Sequence, residues 1–140
     1  MLCDLASGDK SKIERLRKSQ VLKASQLFTA TDFTGKSESD IEDFLHPELF
    51  VRLLNSAYSL SKKNLLSVAK LDAALGTTER IVKKAEAAFR SMTLDVQEFD
   101  HFYPSDWLIR NPTFLVDGSE LDETLDRFEK AFKVINKVLQ

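Results

Sequence analysis

Apolar residues recur at helical spacing through most of the chain after residue 46. Proline at position 47 suits a first helical turn, and Glu48 beside it is favourably placed against the helix dipole. The apolar positions that follow are Leu49, Phe50, Leu53, Leu54, Ala57 and Tyr58. A second amphipathic stretch, from about 78 to 92, carries Ile81, Val82, Ala85, Phe89 and Met92. Both patterns predict helices that bury one face in a core.

The last helix is predicted from Ser119 onward, with Ser119 and Asp122 marking its start. Its apolar residues alternate in steps of four and three: Leu121, Leu125, Phe128, Phe132, Ile135 and Leu139. This is a heptad spacing, but it continues for fewer than three heptads. The pattern therefore predicts a helix packed on the other helices, with a dimer seam as the alternative.

The connections between these helices are less regular. The pattern of residues 61–75 predicts a surface segment followed by one or two helical turns. Residues 93–118 predict a connection that contains one short helix, capped by Ser105 or Asp106 and ended by Asn111-Pro112.

The first thirty residues have a strand–helix–strand pattern. Residues 1–5 are apolar and carry Asp4 just before a tight loop, which predicts a strand. Ser11 and Glu14 match a helix capping box, and residues 25–31 predict a second strand. A helical crossover favours parallel pairing of the two strands, and such folds place ligands at the carboxyl ends of their strands.

Together these patterns predict one α/β domain that is mostly α. Residues 1–45 would form the β-α-β segment with an acidic loop, and residues 46–140 a bundle of about four helices packed on it in a single compact unit. A chain of 140 residues, 43% of them hydrophobic, is long enough to bury a core.

No apolar run is long enough to span a bilayer, and residues 1–4 lack a signal-peptide pattern, so a cytoplasmic location without membrane contact is expected. The single cysteine, Cys3, excludes an internal disulfide and a thiolate zinc cluster.

Charge is distributed unevenly behind a net charge of −2. Residues 1–25 carry a net +3, and residues 31–50 carry a net −5. A basic face beside an acidic pocket would suit a metal-dependent enzyme that acts on phosphodiesters, because cations hold the nucleic-acid backbone while carboxylates hold the metal. Two solvated faces are the alternative.

The acidic residues between positions 38 and 43 are the best candidates for metal ligands. Divalent cations such as Mg²⁺ prefer oxygen ligands that converge from different loops, and Asp4 with this cluster could converge in that way. If the segment is extended, Asp40 and Glu42 point to one side and Asp43 to the other. Ser7 and Lys36 could assist as a ligand and as a charge-stabilising cation. An acidic helix cap is the alternative explanation for Glu42 and Asp43.

Other candidate chemistry is sparse. His46 and His101 have no partner at metal-ligand spacing: His46 is expected to flank a helix start, and His101 to be a packed or hydrogen-bonded residue. The aromatic residues from 99 to 107 could stack on bases or form a small core. The sequence has no phosphate-binding Gly-x-x-x-x-Gly-Lys-Ser loop, so no nucleotide site of that type is expected.

Several segments resemble a known family of ATP-dependent endonucleases, the overcoming-lysogenisation-defect (OLD) family. The resemblance lies in the C-terminal nuclease half of those proteins, and it covers most of this chain. The segments that carry it are Cys3-Asp4-Leu5-Ala6-Ser7-Gly8-Asp9-Lys10, Thr34-Gly35-Lys36, Asp40-Ile41-Glu42-Asp43-Phe44, Leu53-Leu54-Asn55-Ser56-Ala57-Tyr58, Ile81-Val82-Lys83-Lys84-Ala85-Glu86 and Phe99-Asp100-His101-Phe102-Tyr103-Pro104-Ser105-Asp106-Trp107-Leu108.

The resemblance implies a TOPRIM-type nuclease that cuts or nicks DNA with Mg²⁺ or Mn²⁺, often in defence against phage. Residues 1–45 would be part of the TOPRIM sheet. The resemblance implies Asp4, Glu42 and Asp43 as metal ligands, and the acidic cluster adds Asp40. The expected catalytic residues are Asp4, Glu42 and, as a charge-stabilising cation, Lys36. The residues expected to contact DNA are Lys10, Lys12, Arg15 and Lys18.

This chain departs from the family pattern in two respects. Ala6 stands where the second acid of the TOPRIM Asp-x-Asp strand would be, so one metal site lacks this ligand unless Asp9 substitutes. The upstream strand with its general acid/base Glu, and the ATPase domain or subunit, are not in this sequence, so a split or truncated gene that is inactive alone is expected. The competing hypothesis is a non-catalytic helical module that binds a partner or forms a homodimer.

Overall fold

The computed structural model describes residues 1–19, 26–93 and 96–139. These residues form seven α-helices and one two-stranded parallel sheet, which confirms the prediction of a mostly helical α/β fold. The elements in chain order are β1 (Leu2–Cys3), α1 (Lys10–Lys18), β2 (Phe28–Thr29), α2 (Thr31–Thr34), α3 (Pro47–Ala57), α4 (Val68–Ala74), α5 (Ile81–Arg90), α6 (Tyr103–Arg110) and α7 (Ser119–Leu139). Within the described ranges, none of these helices has both the length and the apolar content needed to cross a membrane.

The N-terminal segment has the predicted strand–helix–strand order. Leu2 pairs with Phe28 and Cys3 with Thr29 in parallel register. Both strands are shorter than predicted, and residues 20–25, where the second strand was expected to begin, lie outside the described residues. The capping box at Ser11 and Glu14 is wrong, because α1 begins at Lys10, one residue before the expected N-cap, and Asp9 occupies the N-cap position.

The main hydrophobic core lies among α3, α4 and α5. Helix α3 begins at Pro47 as predicted, and His46 is its N-cap residue, with Nδ1 accepting a hydrogen bond from the Glu48 backbone N–H at 3.2 Å. The buried members of this core are Phe50, Val51, Leu54, Leu60, Leu66, Leu71, Ile81, Val82, Ala85, Ala88 and Phe89. The segment 61–75 contributes Leu66 and Leu71 to this core, and Leu71 lies on α4. The segment therefore contains a helix that packs in the core.

A smaller core joins the long C-terminal helix to the N-terminal segment. Phe44 is completely buried between Phe33 and Phe128, with ring centroids 5.8 and 5.1 Å away. Ala131 of α7 is buried in the same cluster. The Thr124 hydroxyl of α7 accepts a hydrogen bond from the His46 backbone N–H at 2.8 Å. Helix α7 therefore packs on residues 30–46 as well as on α3.

The packing face of α7 differs from the predicted apolar stripe. Thr124 and Ala131 are buried, whereas Leu125 and Phe132, both members of the heptad pattern, are 54% and 57% exposed. The buried side of α7 carries these two small side chains beside Phe128, whose ring packs against Phe44.

Helix α6 begins earlier than predicted. Phe102 is its N-cap residue and Pro104 lies in its first turn, where proline has the right φ angle and needs no N–H partner. The expected caps at Ser105 and Asp106 are therefore wrong. The helix ends before Asn111-Pro112 as predicted.

Candidate functional site

The acidic loop is joined directly to the end of β1. Gly35, with a φ of 71°, ends α2, and the chain then turns back toward the sheet. Leu5 and Ser39 form an isolated antiparallel bridge, with N–H to O distances of 2.8 and 2.9 Å. One residue before that bridge, Asp4 Oδ1 accepts a hydrogen bond from the Ile41 backbone N–H at 2.9 Å. The predicted convergence of Asp4 and the acidic loop at one edge of the sheet is thus confirmed.

Residues Ile41–Phe44 form a 3₁₀ turn, and this turn separates the acids. The extended geometry expected for the loop would have placed Asp40 and Glu42 on one side. Instead, Asp40 and Asp43 point into the protein together, and their side chains are only 4% and 0% exposed. The Asp40 backbone N–H donates to Asp43 Oδ2 at 2.8 Å. The expectation of one shared face for Asp40 and Glu42 is wrong, because a turn of about three residues pairs positions i and i+3.

Asp40 forms a two-pronged ion pair with Arg80, the residue just before α5. Arg80 Nε lies 2.9 Å from both carboxylate oxygens, and Nη2 lies 2.6 Å from Oδ1. The Asp40 carboxylate raises the pKa of Arg80 further. A carboxylate bound in this way is already neutralised.

Asp43 is also fully engaged by protein groups. Lys36 Nζ lies 2.5 Å from Asp43 Oδ1, and the Ile81 backbone N–H donates to the same oxygen at 3.0 Å. Asp43 thereby satisfies the first free N–H of α5, as a helix cap would. The predicted ligands Asp40 and Asp43, and the predicted catalytic residue Lys36, are therefore brought together in ion pairs that hold the loop against α5.

A further contact strengthens the junction between loop and helix. Glu79 Oε2 accepts hydrogen bonds from both the backbone N–H and the hydroxyl of Ser37, each at 2.6 Å. These hydrogen bonds lower the pKa of Glu79. Sequence reasoning missed Glu79 and Arg80. A signal was present at Arg80, since a cation at a helix N-terminus is unfavourable unless an acid lies beside it.

Glu42 and Asp4 lie on the opposite side of the turn and line an open cleft of about 910 Å³. Burial raises the pKa of Asp4 despite the hydrogen bond from Ile41, and the nearby Asp40 adds to the rise. Burial is also the main cause of the raised pKa of Glu42, and the charges of Asp40 and Asp4 add to it. Two partly desolvated carboxylates that repel each other favour a cation or a proton between them.

The opposite wall of the cleft comes from the segment before α6. It includes Glu98, Phe99, Asp100, His101 and Phe102. The Tyr58 hydroxyl fixes this wall, since it donates to the Asp100 carbonyl at 3.1 Å and accepts from the Asp100 N–H at 2.8 Å. Phe102 is 82% exposed at the rim.

His101 is hydrogen-bonded, as expected, but it also borders the cleft. Its Nε2 lies 2.8 Å from Glu86 Oε1 of α5. Burial acts to raise the pKa of Glu86, but hydrogen bonds from Lys83 and His101 lower it overall. His101 also lowers the pKa of Glu42 by its charge, although burial dominates there. No sequence pattern predicts the contact between Glu86 and His101, because the two residues are on different elements.

The residues predicted to contact DNA all lie on α1. The side chains of Lys10, Lys12, Arg15 and Lys18 are exposed. Lys12 Nζ is 2.8 Å from Asp9 Oδ1. Asp9, the residue that could have replaced the second acid of the Asp-x-Asp strand, is therefore paired with a lysine on its own helix.

The cleft by itself offers few metal ligands. In residues 1–19, 26–93 and 96–139, no three histidine, cysteine, aspartate or glutamate side chains are grouped so that they could hold a metal ion. Asp4 and Glu42 would still fit Mg²⁺, because this ion keeps several waters and is usually bound by one or two carboxylates together with substrate phosphates.

Comparisons of the chain with models of protein families, with curated proteins and with solved structures found no match.

Proposed function

We propose that this chain is the C-terminal part of a metal-dependent TOPRIM-type DNA endonuclease of the OLD family, acting in phage defence. The observation that carries the proposal is the position of Asp4 and Glu42 in one open cleft at the carboxyl end of a parallel β-α-β unit. Ligand sites of α/β folds lie at this edge. The family resemblance assigns the same two acids to the nuclease site.

The chain's own residues would bind and orient the substrate. Asp4 and Glu42 would hold Mg²⁺ or Mn²⁺, which when bound stabilises charge on a phosphodiester and activates water. The exposed cations of α1 would contact the DNA backbone. We assign Lys36 a positioning role, because it neutralises Asp43 and so keeps the loop beside Asp4.

Two carboxylates do not make a complete nuclease site. The family resemblance implies a further Glu and an ATPase domain or subunit, and we propose that these are supplied by a separate segment or partner. The chain alone would then bind metal weakly, and cleavage would require that partner. Activity on DNA would place the protein in the cytoplasm.

The test is calorimetric titration of the chain with Mg²⁺ and Mn²⁺, beside Asp4→Asn and Glu42→Gln. Both substitutions keep the side-chain size and remove the charge. Saturable binding that both changes weaken would support the proposal. The matched control is Asp72→Asn, an acid on α4 that is exposed and paired with Lys84. No binding, or binding that is indifferent to both substitutions, would overturn the metal site.

DNA binding is tested by fluorescence anisotropy with a short duplex at several salt concentrations. Replacing Lys10, Arg15 and Lys18 with glutamine should weaken binding and reduce the salt slope by about one for each lost phosphate contact. The control replaces Lys62 and Lys63, which are exposed on a 3₁₀ turn of the surface. Equal loss in the control would mean that binding is non-specific.

A second candidate is a non-catalytic interaction module. It is favoured by one observation, the exposure of Leu125 and Phe132 on α7. A chain that binds no metal but associates through α7 would have this function instead.

A further inference from the structure

Helix α7 exposes an apolar edge that the described part of the chain does not cover. Leu125 and Phe132 are 54% and 57% exposed and lie one heptad apart, on the same side of the helix. Between them, Phe128 is half-buried and its ring stacks on Phe132 with centroids 6.2 Å apart. The stripe is therefore packed on one side and open to solvent on the other.

The charges of α7 are divided between its two halves. Residues 119–128 carry four acids and one arginine, a net −3, whereas residues 129–139 carry three lysines and one acid, a net +2. A parallel pair of such helices would place like charges together. An antiparallel pair places the acidic half of each helix beside the basic half of the other, which is favourable.

The apolar residues agree with the same arrangement. If two copies meet about a two-fold axis near residues 128 and 129, Leu125 of each copy lies opposite Phe132 of the other. A two-fold interface requires this kind of self-complementarity, in which residue i meets residue j and residue j meets residue i. Asp126 would then lie near Lys133 of the second copy.

In such a pair the two copies of Glu129 would approach each other near the two-fold axis, and their carboxylates would repel each other. Each Glu129 is already paired with Lys133 of its own helix, with Nζ and Oε1 2.7 Å apart. The lysine reduces the repulsion between the two carboxylates.

From these observations the geometry points to a second copy of this chain as the partner of α7, in an antiparallel helix pair. The inference concerns the surface named for the second candidate function, and it is independent of the metal site. Metal binding and self-association are measured separately, so either can fail without the other.

The first test is the mass of the full chain in solution over a range of concentrations. The wild-type chain should pass from monomer to dimer. Leu125→Glu and Phe132→Glu should each weaken dimerisation on the order of tenfold or more, because a charge would be buried in the interface. Both side chains are more than half exposed, so the fold should survive, and circular dichroism checks this. The matched control is Leu65→Glu, a leucine 48% exposed elsewhere on the surface.

The second test fixes the orientation by disulfide formation in a Cys3→Ser background. Leu125→Cys and Phe132→Cys chains should cross-link when mixed, and each alone should not, since in the antiparallel pair equivalent residues are separated by about 10 Å along the helix axis. Leu65→Cys measures random collision. Cross-linking of Leu125→Cys with itself would overturn the antiparallel arrangement. A wild-type chain that stays monomeric at every concentration would overturn the second copy as the partner and leave α7 to a different protein.

Discussion

Asp40 and Asp43 differ from Asp4 and Glu42 in burial and in hydrogen-bond partners, although all four acids lie at one turn. Asp40, Glu42 and Asp43 follow each other closely in sequence, and Asp4 is hydrogen-bonded to the backbone N–H of Ile41. The first pair is buried, bound by Arg80 and Lys36, and holds the loop against α5. The second pair lines an open cleft and has raised pKa values, mainly because of burial. One acidic loop therefore supplies both the support and the candidate site. We therefore expect that substitutions of the first pair destabilise the fold, whereas substitutions of the second pair weaken ligand binding.

The largest expected effect is at Arg80. Arg80→Met removes the guanidinium and leaves Asp40 buried without its partner, which should lower the free energy of unfolding by about 3 kcal/mol. Urea denaturation measures the change. Adding Asp40→Asn should recover part of the loss. The comparison variant is Lys84→Met, whose partner Asp72 is 57% exposed and whose loss should cost under about 1 kcal/mol. Equal losses at Arg80 and Lys84 would contradict the distinction.

A smaller loss is expected at Lys36. Lys36→Met removes one partner of Asp43, but the N–H groups of Ile81 and Asp40 still donate to its carboxylate. The free energy of unfolding should fall by about 1–2 kcal/mol, measured in the same way. Lys12→Met, at a lysine paired with Asp9 and 74% exposed, should change it little. No loss at Lys36 would mean that the backbone donors alone hold Asp43.

The open pair should respond to metal. At a Mg²⁺ or Mn²⁺ concentration ten times the dissociation constant, binding to the folded chain should stabilise it by about 1.4 kcal/mol. Thermal unfolding with and without metal measures this. Asp4→Asn should abolish the shift, whereas Asp72→Asn should retain it. A shift that survives Asp4→Asn would place the ion elsewhere.

The smallest effect is on the pH dependence of stability. Since the pKa of Asp4 and of Glu42 is raised by folding, the folded chain binds more protons than the unfolded chain just above their ordinary values of 3.8 and 4.5. These two groups therefore make stability fall as pH rises through that window. Thermal unfolding of Asp4→Asn and Glu42→Gln between about pH 4 and pH 7 should show a smaller fall than the wild type. An unchanged pH profile in both variants would contradict the burial of these carboxyls.

Sequence periodicity predicted the helices well where one apolar face is buried. Helix α3 begins at Pro47 and α7 begins at Ser119, and the strands pair in parallel as expected. The start of α6 was less predictable, because Pro104 and Ser105 are both good residues for a first turn. The apolar stripe of α7 is covered only in part, with Phe128 packed in the small core and Leu125 and Phe132 exposed. Periodicity identifies the apolar face of a helix, but it does not show how much of that face a neighbouring segment covers.

The sequence by itself determined that Asp4 and the acidic loop would lie at the same edge of the sheet. This follows from the order of strand, helix and strand, and from the carboxyl ends that parallel strands share. It could not determine which acids would face the cleft. That depends on Arg80, 40 residues away in sequence, and on the N-terminus of α5, since both offer positive charge to only one side of the turn. Only the tertiary structure brings these groups to the loop, and they neutralise Asp40 and Asp43 while Asp4 and Glu42 remain open to solvent and to a ligand.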